Sequence, residues 1–138
     1  MIVIGDSVSS PKQMMPNMVR KVEDLEVFKL SHSLVLNVYK LTENFPQEER
    51  FGLISQMRRS AYSIPMNIIE GSNRLDTKDY RRFVGIAKGS AGEISYQILL
   101  ARDLGYVSGE IYSEMREKYE IVIKMLSNLS KSLGKKAQ

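Results

Sequence analysis

Residues 108–133, SGEIYSEMREKYEIVIKMLSNLSKSL, decide the fold. Tyr112, Met115, Tyr119, Val122, Leu126, Leu129 and Leu133 recur in alternating steps of three and four. That is the apolar seam of a helix packed against other helices. Its charges agree: Glu110, Glu114, Glu117 and Glu120 come early, Lys124 and Lys131 late, each sign placed to complement the helix dipole. Ser108 supplies an N-cap hydroxyl, and Gly105 closes the helix before it.

The same period recurs upstream. A first helix spans about Asp24 to Asn44 and stops at Phe45-Pro46, because Pro46 cannot continue it. Pro46 can enter the first turn of a second helix, about Gln47 to Glu70, with Pro65 expected to kink it. After the polar turn 71–76, Asp76 or Thr77 caps a third helix reaching about Leu104. No stretch alternates with period two over a strand's length, so the class is all-α. Short connections make it an antiparallel up-down-up-down four-helix bundle over residues 22–133. Residues 1–21, with Pro11 and Pro16, read as a flexible leader, and 134–138 as a basic tail.

Composition narrows the function classes. The chain has 138 residues, 43% hydrophobic and 26% charged, which fits one globular domain. It has no cysteine and one histidine, His32. Disulfides, thiolate zinc and a cysteine nucleophile are therefore excluded, and a reducing cytoplasm is the expected location. No apolar run approaches the ~18 residues of a membrane span. The net charge is +4, but the leader contributes +2 and residues 131–138 contribute +3, leaving −1 for residues 22–130. The basic excess belongs to the tails.

Three helices carry a second face. On the first, Val27, Leu30, Leu34, Val38, Leu41 and Phe45 form one stripe, while Leu25, Phe28, His32, Leu36 and Tyr39 lie opposite. A helix apolar on both sides is covered on both sides, here by another subunit or by the leader. On the second, Ile54, Met57, Ala61, Ile64 and Ile68 make the core seam. Gly52, Gln56, Arg59, Ser63, Asn67 and Glu70 stack opposite them as a contact surface. The third is expected to bury Tyr80, Phe83, Ile86, Ala87, Ile94, Ile98, Ala101 and Leu104, and to align Gly85, Gly89 and Gly92 on its outer side. Each glycine inside a helix costs about 1 kcal/mol relative to alanine, so close approach of another backbone is the expected compensation. Ser90, Glu93 and Gln97 fall beside the core, with Arg58, or failing that Arg59, as the expected partner of a buried Glu93.

Catalytic signatures are absent. There is no phosphate-binding glycine loop, no Gly-x-Ser-x-Gly and no His-Glu-x-x-His pair. The carboxylate pairs Glu48/Glu49 and Asp76/Asp79 stand at helix starts, where capping accounts for them. No enzyme activity, metal, cofactor or small-molecule substrate is expected. Arg74, Lys78, Arg81, Arg82 and Lys88 concentrate charge around the start of the third helix, either as a solvated face or as candidate contacts to RNA or DNA.

Two motifs carry a resemblance: FPQEERFGLISQMRRSAYSIPMNIIEG at 45–71 and IAKGSAGE at 86–93. Both resemble the proteins encoded by intervening sequences within bacterial 23S ribosomal RNA genes, also labelled S23 ribosomal proteins. The likeness runs from about Val22 to Leu133. It implies a small four-helix bundle assembled as a homopentamer with no known enzymatic activity. The family is in turn similar to accessory proteins of diversity-generating retroelements, pentameric barrels that bind nucleic acid and a reverse transcriptase. Its motif positions fall here on Gln56, Arg59, Ser63, Asn67, Glu70 and Gly71, and on Ala87, Gly89, Ser90 and Glu93. The expected partners are thus further copies of the chain and, alternatively, RNA or DNA.

Overall fold

The structure is a computed structural model that describes residues 22–137, with side chains through Lys135; the leader 1–21 lies outside them. Four helices follow in order: α1 Glu26–Thr42, α2 Ser55–Ser72, α3 Thr77–Asp103 and α4 Gly109–Ala137. The described residues contain no strand. At a rise of about 1.5 Å per residue, α3 and α4, with 27 and 29 residues, are about 40 Å long. α4 continues past Leu133 into the stretch read as a tail.

The capping chemistry is that expected. Asp76 accepts from the Asp79 amide at 2.7 Å, and Ser108 accepts from the Ile111 amide at 3.1 Å. Between α1 and α2 the chain makes a 3-10 turn, Gln47–Glu49, then a π turn, Arg50–Ile54, with the Glu49 carboxylate accepting from the Leu53 amide. The second helix, expected from about Gln47, is interrupted at Gly52, whose dihedrals (φ −112°, ψ −108°) leave the helical region. Gly52 lies within the π turn, and the 3-10 turn before that turn and the α-helix after it differ from it in hydrogen-bond span, so the helical register changes there. α2 runs through the buried Pro65 to Ser72.

The connections fix the antiparallel order. Tyr106, after α3, packs at a tilt against Phe45, 5.2 Å between ring centroids, and donates to the Glu49 carboxylate at 2.9 Å. Connections one and three therefore share an end. That hydrogen bond, with burial and the neighbouring carboxylate charges, raises the Tyr106 phenol above its ordinary pKa. At the other end, Arg81 near the start of α3 lies against Gly134 near the end of α4.

The interior is built from the seams: Leu34 and Val38 of α1, Met57, Ala61, Ile64 and Ile68 of α2, Ala87, Ala91, Ile94 and Ile98 of α3, and Tyr119, Val122 and Leu126 of α4, all at or near zero exposure. Two residues assigned to the α3 core are exposed, Ile86 and Leu104. Each sits one residue from the centre of the buried stripe or beyond the helix end, and one residue is 100° of rotation. Val84 and Ala91 occupy the core positions instead.

Candidate functional site

The face of α2 read as a contact surface forms a groove with α3. It has a volume of about 460 Å³, and its lining includes Gln56, Arg59, Ser63, Asn67, Ser90 and Glu93. A hydrogen-bonded chain makes its floor. Asn67 Nδ2 donates to the Ser63 carbonyl at 2.8 Å and to Ser63 Oγ at 3.0 Å, and the Ser63 and Ser90 hydroxyls meet at 2.8 Å across the two helices. Ser90 is buried, as expected, and this pairing satisfies it. The rim holds exposed Tyr62, Met66 and Ile86. Tyr62 and Met66 were not foreseen, although they follow Arg59 at three and seven residues and so share its stripe.

Glu93 is not the buried, paired carboxylate expected. It is exposed on the rim, and no ion pair to it occurs among the described residues. Arg58 points the other way. Its Nε donates to Thr42 Oγ1 at 2.9 Å and an Nη donates to the Tyr39 carbonyl at 3.2 Å, with the guanidinium 4.5 Å from the Tyr39 ring centroid. Those are the last residues of α1, where carbonyls lack helical partners and the dipole favours a cation. Arg59, the second-choice partner, is exposed on the groove and likewise unpaired among the described residues. Gln97 is half-buried with its Oε1 unpartnered.

The five basic candidates separate into two groups. Arg74 pairs with Glu70 at 3.2 Å and Asp79 at 3.5 Å, and Arg82 pairs with Asp79 at 2.9 Å. Both guanidinium groups lie over the Phe83 ring, at 4.6 and 4.4 Å from its centroid. Arg81 and Lys88 turn toward α4, and Lys78 is exposed at the helix start. On the outer side of α3, a side chain added at Gly85, Gly89 or Gly92 would meet nothing within 4 Å. Gly71, by contrast, is pressed against α3: an added Cβ would lie 2.8 Å from the Tyr80 ring and 3.1 Å from the Tyr80 carbonyl oxygen. The second face of α1 is open as well, with Leu36 59% exposed and His32 stacked on Phe28 at 6.2 Å between centroids.

These motif residues coincide with a family model described as 23S rRNA-intervening sequence protein, which matches residues 23–128. The chain belongs to that family. A crystal structure of a protein of unknown function from the S23 ribosomal protein family of Bacteroides thetaiotaomicron is 28% identical, with a TM-score of 0.68. The alignment covers 76% of this chain and 98% of that one. A comparison with curated proteins finds no match.

The family's motif positions separate in the fold. Gln56, Arg59, Ser63, Asn67, Ser90 and Glu93 line the groove; Glu70 pairs with Arg74; Gly71 closes the α2–α3 junction; Ala87 is buried in the core; Gly89 faces outward. Neither the family nor the groove indicates an enzyme. Among the described residues no cluster of three or more histidine, aspartate or glutamate side chains could hold a metal ion. No helix there is long and apolar enough to cross a membrane.

Proposed function

We propose that this family member is a non-enzymatic interaction protein that works as a homo-oligomer, with the α2–α3 groove as part of the subunit contact. One observation carries the reading. The groove presents a cation, Arg59, and an anion, Glu93, neither paired among the described residues, between apolar rims of Tyr62, Met66 and Ile86. Unspent charges of both signs beside exposed apolar side chains suit a protein partner of mixed character, and a second copy supplies such a surface. The resemblance implies five subunits. A five-fold ring needs two different patches meeting head to tail. The open face of α1, with His32, Leu36 and Tyr39, is available as the second.

Light scattering on a sizing column tests this directly, since the monomer is 15.7 kDa. A mass near five times that value is expected, and a monomer at micromolar concentration overturns the reading. Gly89→Leu places a bulky side chain on the outer strip of α3, where the fold has room for it. It should lower the assembly mass while leaving helix content unchanged.

A second reading, an accessory that binds RNA or DNA through repeated basic patches, is favoured by Arg81 and Lys88. These have no acidic partner among the described residues. Absorbance at 260 nm on the same eluting peak is its first test.

A further inference from the structure

The second reading treats five basic residues as one patch. The structure divides them, and it adds Lys131, a residue of α4 that the sequence pattern accounts for only by the helix dipole. Between α3 and α4 runs a groove of about 440 Å³ whose lining includes Arg81, Lys88 and Lys131 with the hydroxyl residues Ser127 and Ser130. None of its lining residues is acidic.

Arg81 is held in place. Its Nε donates to Ser130 Oγ at 3.1 Å, and its guanidinium lies over Gly134, where a Cβ would come within 3.2 Å of Cζ. Glycine inside a helix is unfavourable, and at position 134 it leaves room for this head group. One of the five guanidinium N–H donors is used by Ser130, so the others can meet an oxyanion. Gly85, between Arg81 and Lys88 on the same face of α3, leaves that part of the groove clear: a side chain there would touch nothing.

Helix electrostatics accounts for Arg81 but not for Lys88. Arg81 lies beyond the first turn of α3 and against Gly134 in the last turn of α4, where the dipole favours a cation. Lys88 is near the middle of α3, beyond the reach of either terminus. Arg74 and Arg82, by contrast, are accounted for by Glu70, Asp79 and Phe83.

We propose that the α3–α4 groove binds a chain of phosphates, through Arg81, Lys88 and Lys131 with Ser127 in support. The proposal rests on the second reading above and sharpens it. Arg81 and Lys88 are seven residues apart on α3, about 10 Å along the axis. Cations distributed in this way suit an extended phosphodiester or polyphosphate rather than a single phosphate ion.

The test compares the full chain with the Lys88→Gln/Lys131→Gln double variant and with Arg82→Gln, titrating a fluorescent oligouridylate and using inorganic tripolyphosphate as competitor. Both lysines are exposed, so helix content should be unchanged in the double variant. Wild type should bind with log K falling against log salt at a slope of about −2, from three neutralised phosphates at roughly −0.7 each. The double variant should lose about tenfold in affinity and most of that slope. Arg82→Gln should stay within about twofold, because its charge is already spent on Asp79. Competition by tripolyphosphate at concentrations matching the RNA would identify free polyphosphate as the ligand; weak competition would identify the nucleic acid backbone. Either result supports the groove. If the double variant binds like wild type, the groove is wrong while the second reading stands. If wild type shows no salt-sensitive binding to either probe, both fall.

Discussion

Gly71 and Gly89 belong to neighbouring helical stretches and stand in opposite surroundings. At Gly71 the chain itself fills the space where a side chain would go, with the Tyr80 ring, Phe83 Cβ and the Tyr80 carbonyl oxygen all within 3.1 Å. At Gly89 there is nothing within 4 Å. The first glycine is explained by the fold: it lets the end of α2 approach the start of α3. The second is not, and the helix carries its unfavourable propensity without return from the chain. Arg58 and Arg59 repeat the contrast at adjacent positions. Arg58 is spent on the carbonyl end of α1, whereas Arg59 stands open on the groove. On α2 and α3 one side is closed within the chain, and the other is exposed.

The sharpest way to break that distinction is Gly71→Ala. An added methyl must push on backbone as well as on a ring, and overpacking of this kind costs typically 1–3 kcal/mol. We expect a loss near 2 kcal/mol in urea unfolding. A loss under about 0.5 kcal/mol would show that the junction yields easily and that close approach does not explain the glycine.

The bundle was legible in the sequence because each seam has strict helical spacing and its stops are chemical: Pro46, the Asp76 cap, Gly105 and the Ser108 cap. The polar stripe on α2 was legible for the same reason. What was missed depends on neighbours that one helix cannot reveal. Arg58 was assigned to Glu93 because both fall beside the core, yet the carbonyl end of α1 competes for the same guanidinium and meets it. Ile86 is apolar and adjacent to a core residue, but the direction in which a helix turns its stripe is set by the helices around it. Lys131 read only as a late helix charge complementing the dipole, since its place opposite Arg81 and Lys88 exists only once α3 and α4 are packed.

Tyr119 tests the closed side from within. It belongs to the α4 seam and is fully buried, yet its hydroxyl has no hydrogen-bond partner among the described residues. Burial holds the phenol well above its ordinary pKa near 10. Above that pH the unfolded chain releases a proton that the folded chain retains. The corresponding stability is fully present below about pH 10 and is lost as pH rises further. Tyr119→Phe should flatten this alkaline fall, leaving the smaller contributions of Tyr80 and Tyr106, whose phenols are also raised. At neutral pH it should gain about 1 kcal/mol by removing an unsatisfied polar atom. Unfolding midpoints measured from pH 7 upward decide the matter, and a neutral-pH loss above about 1 kcal/mol would mean that the hydroxyl has a partner after all.

Glu93 tests the open side. Had the carboxylate been buried and paired, truncation would cost about 3–5 kcal/mol. Exposed on the groove rim, Glu93→Ala should change the stability of the folded chain by less than about 0.5 kcal/mol. Its effect should appear in association, because the groove then keeps Arg59 and loses its anion. If the groove meets another copy, the variant weakens assembly, and adding Arg59→Ala costs less than the two separate losses combined when the residues engage the same neighbour. Strict additivity would place Arg59 and Glu93 in separate contacts. An assembly indifferent to both would move the subunit contact away from the α2–α3 groove and onto the open faces of α1 and α3.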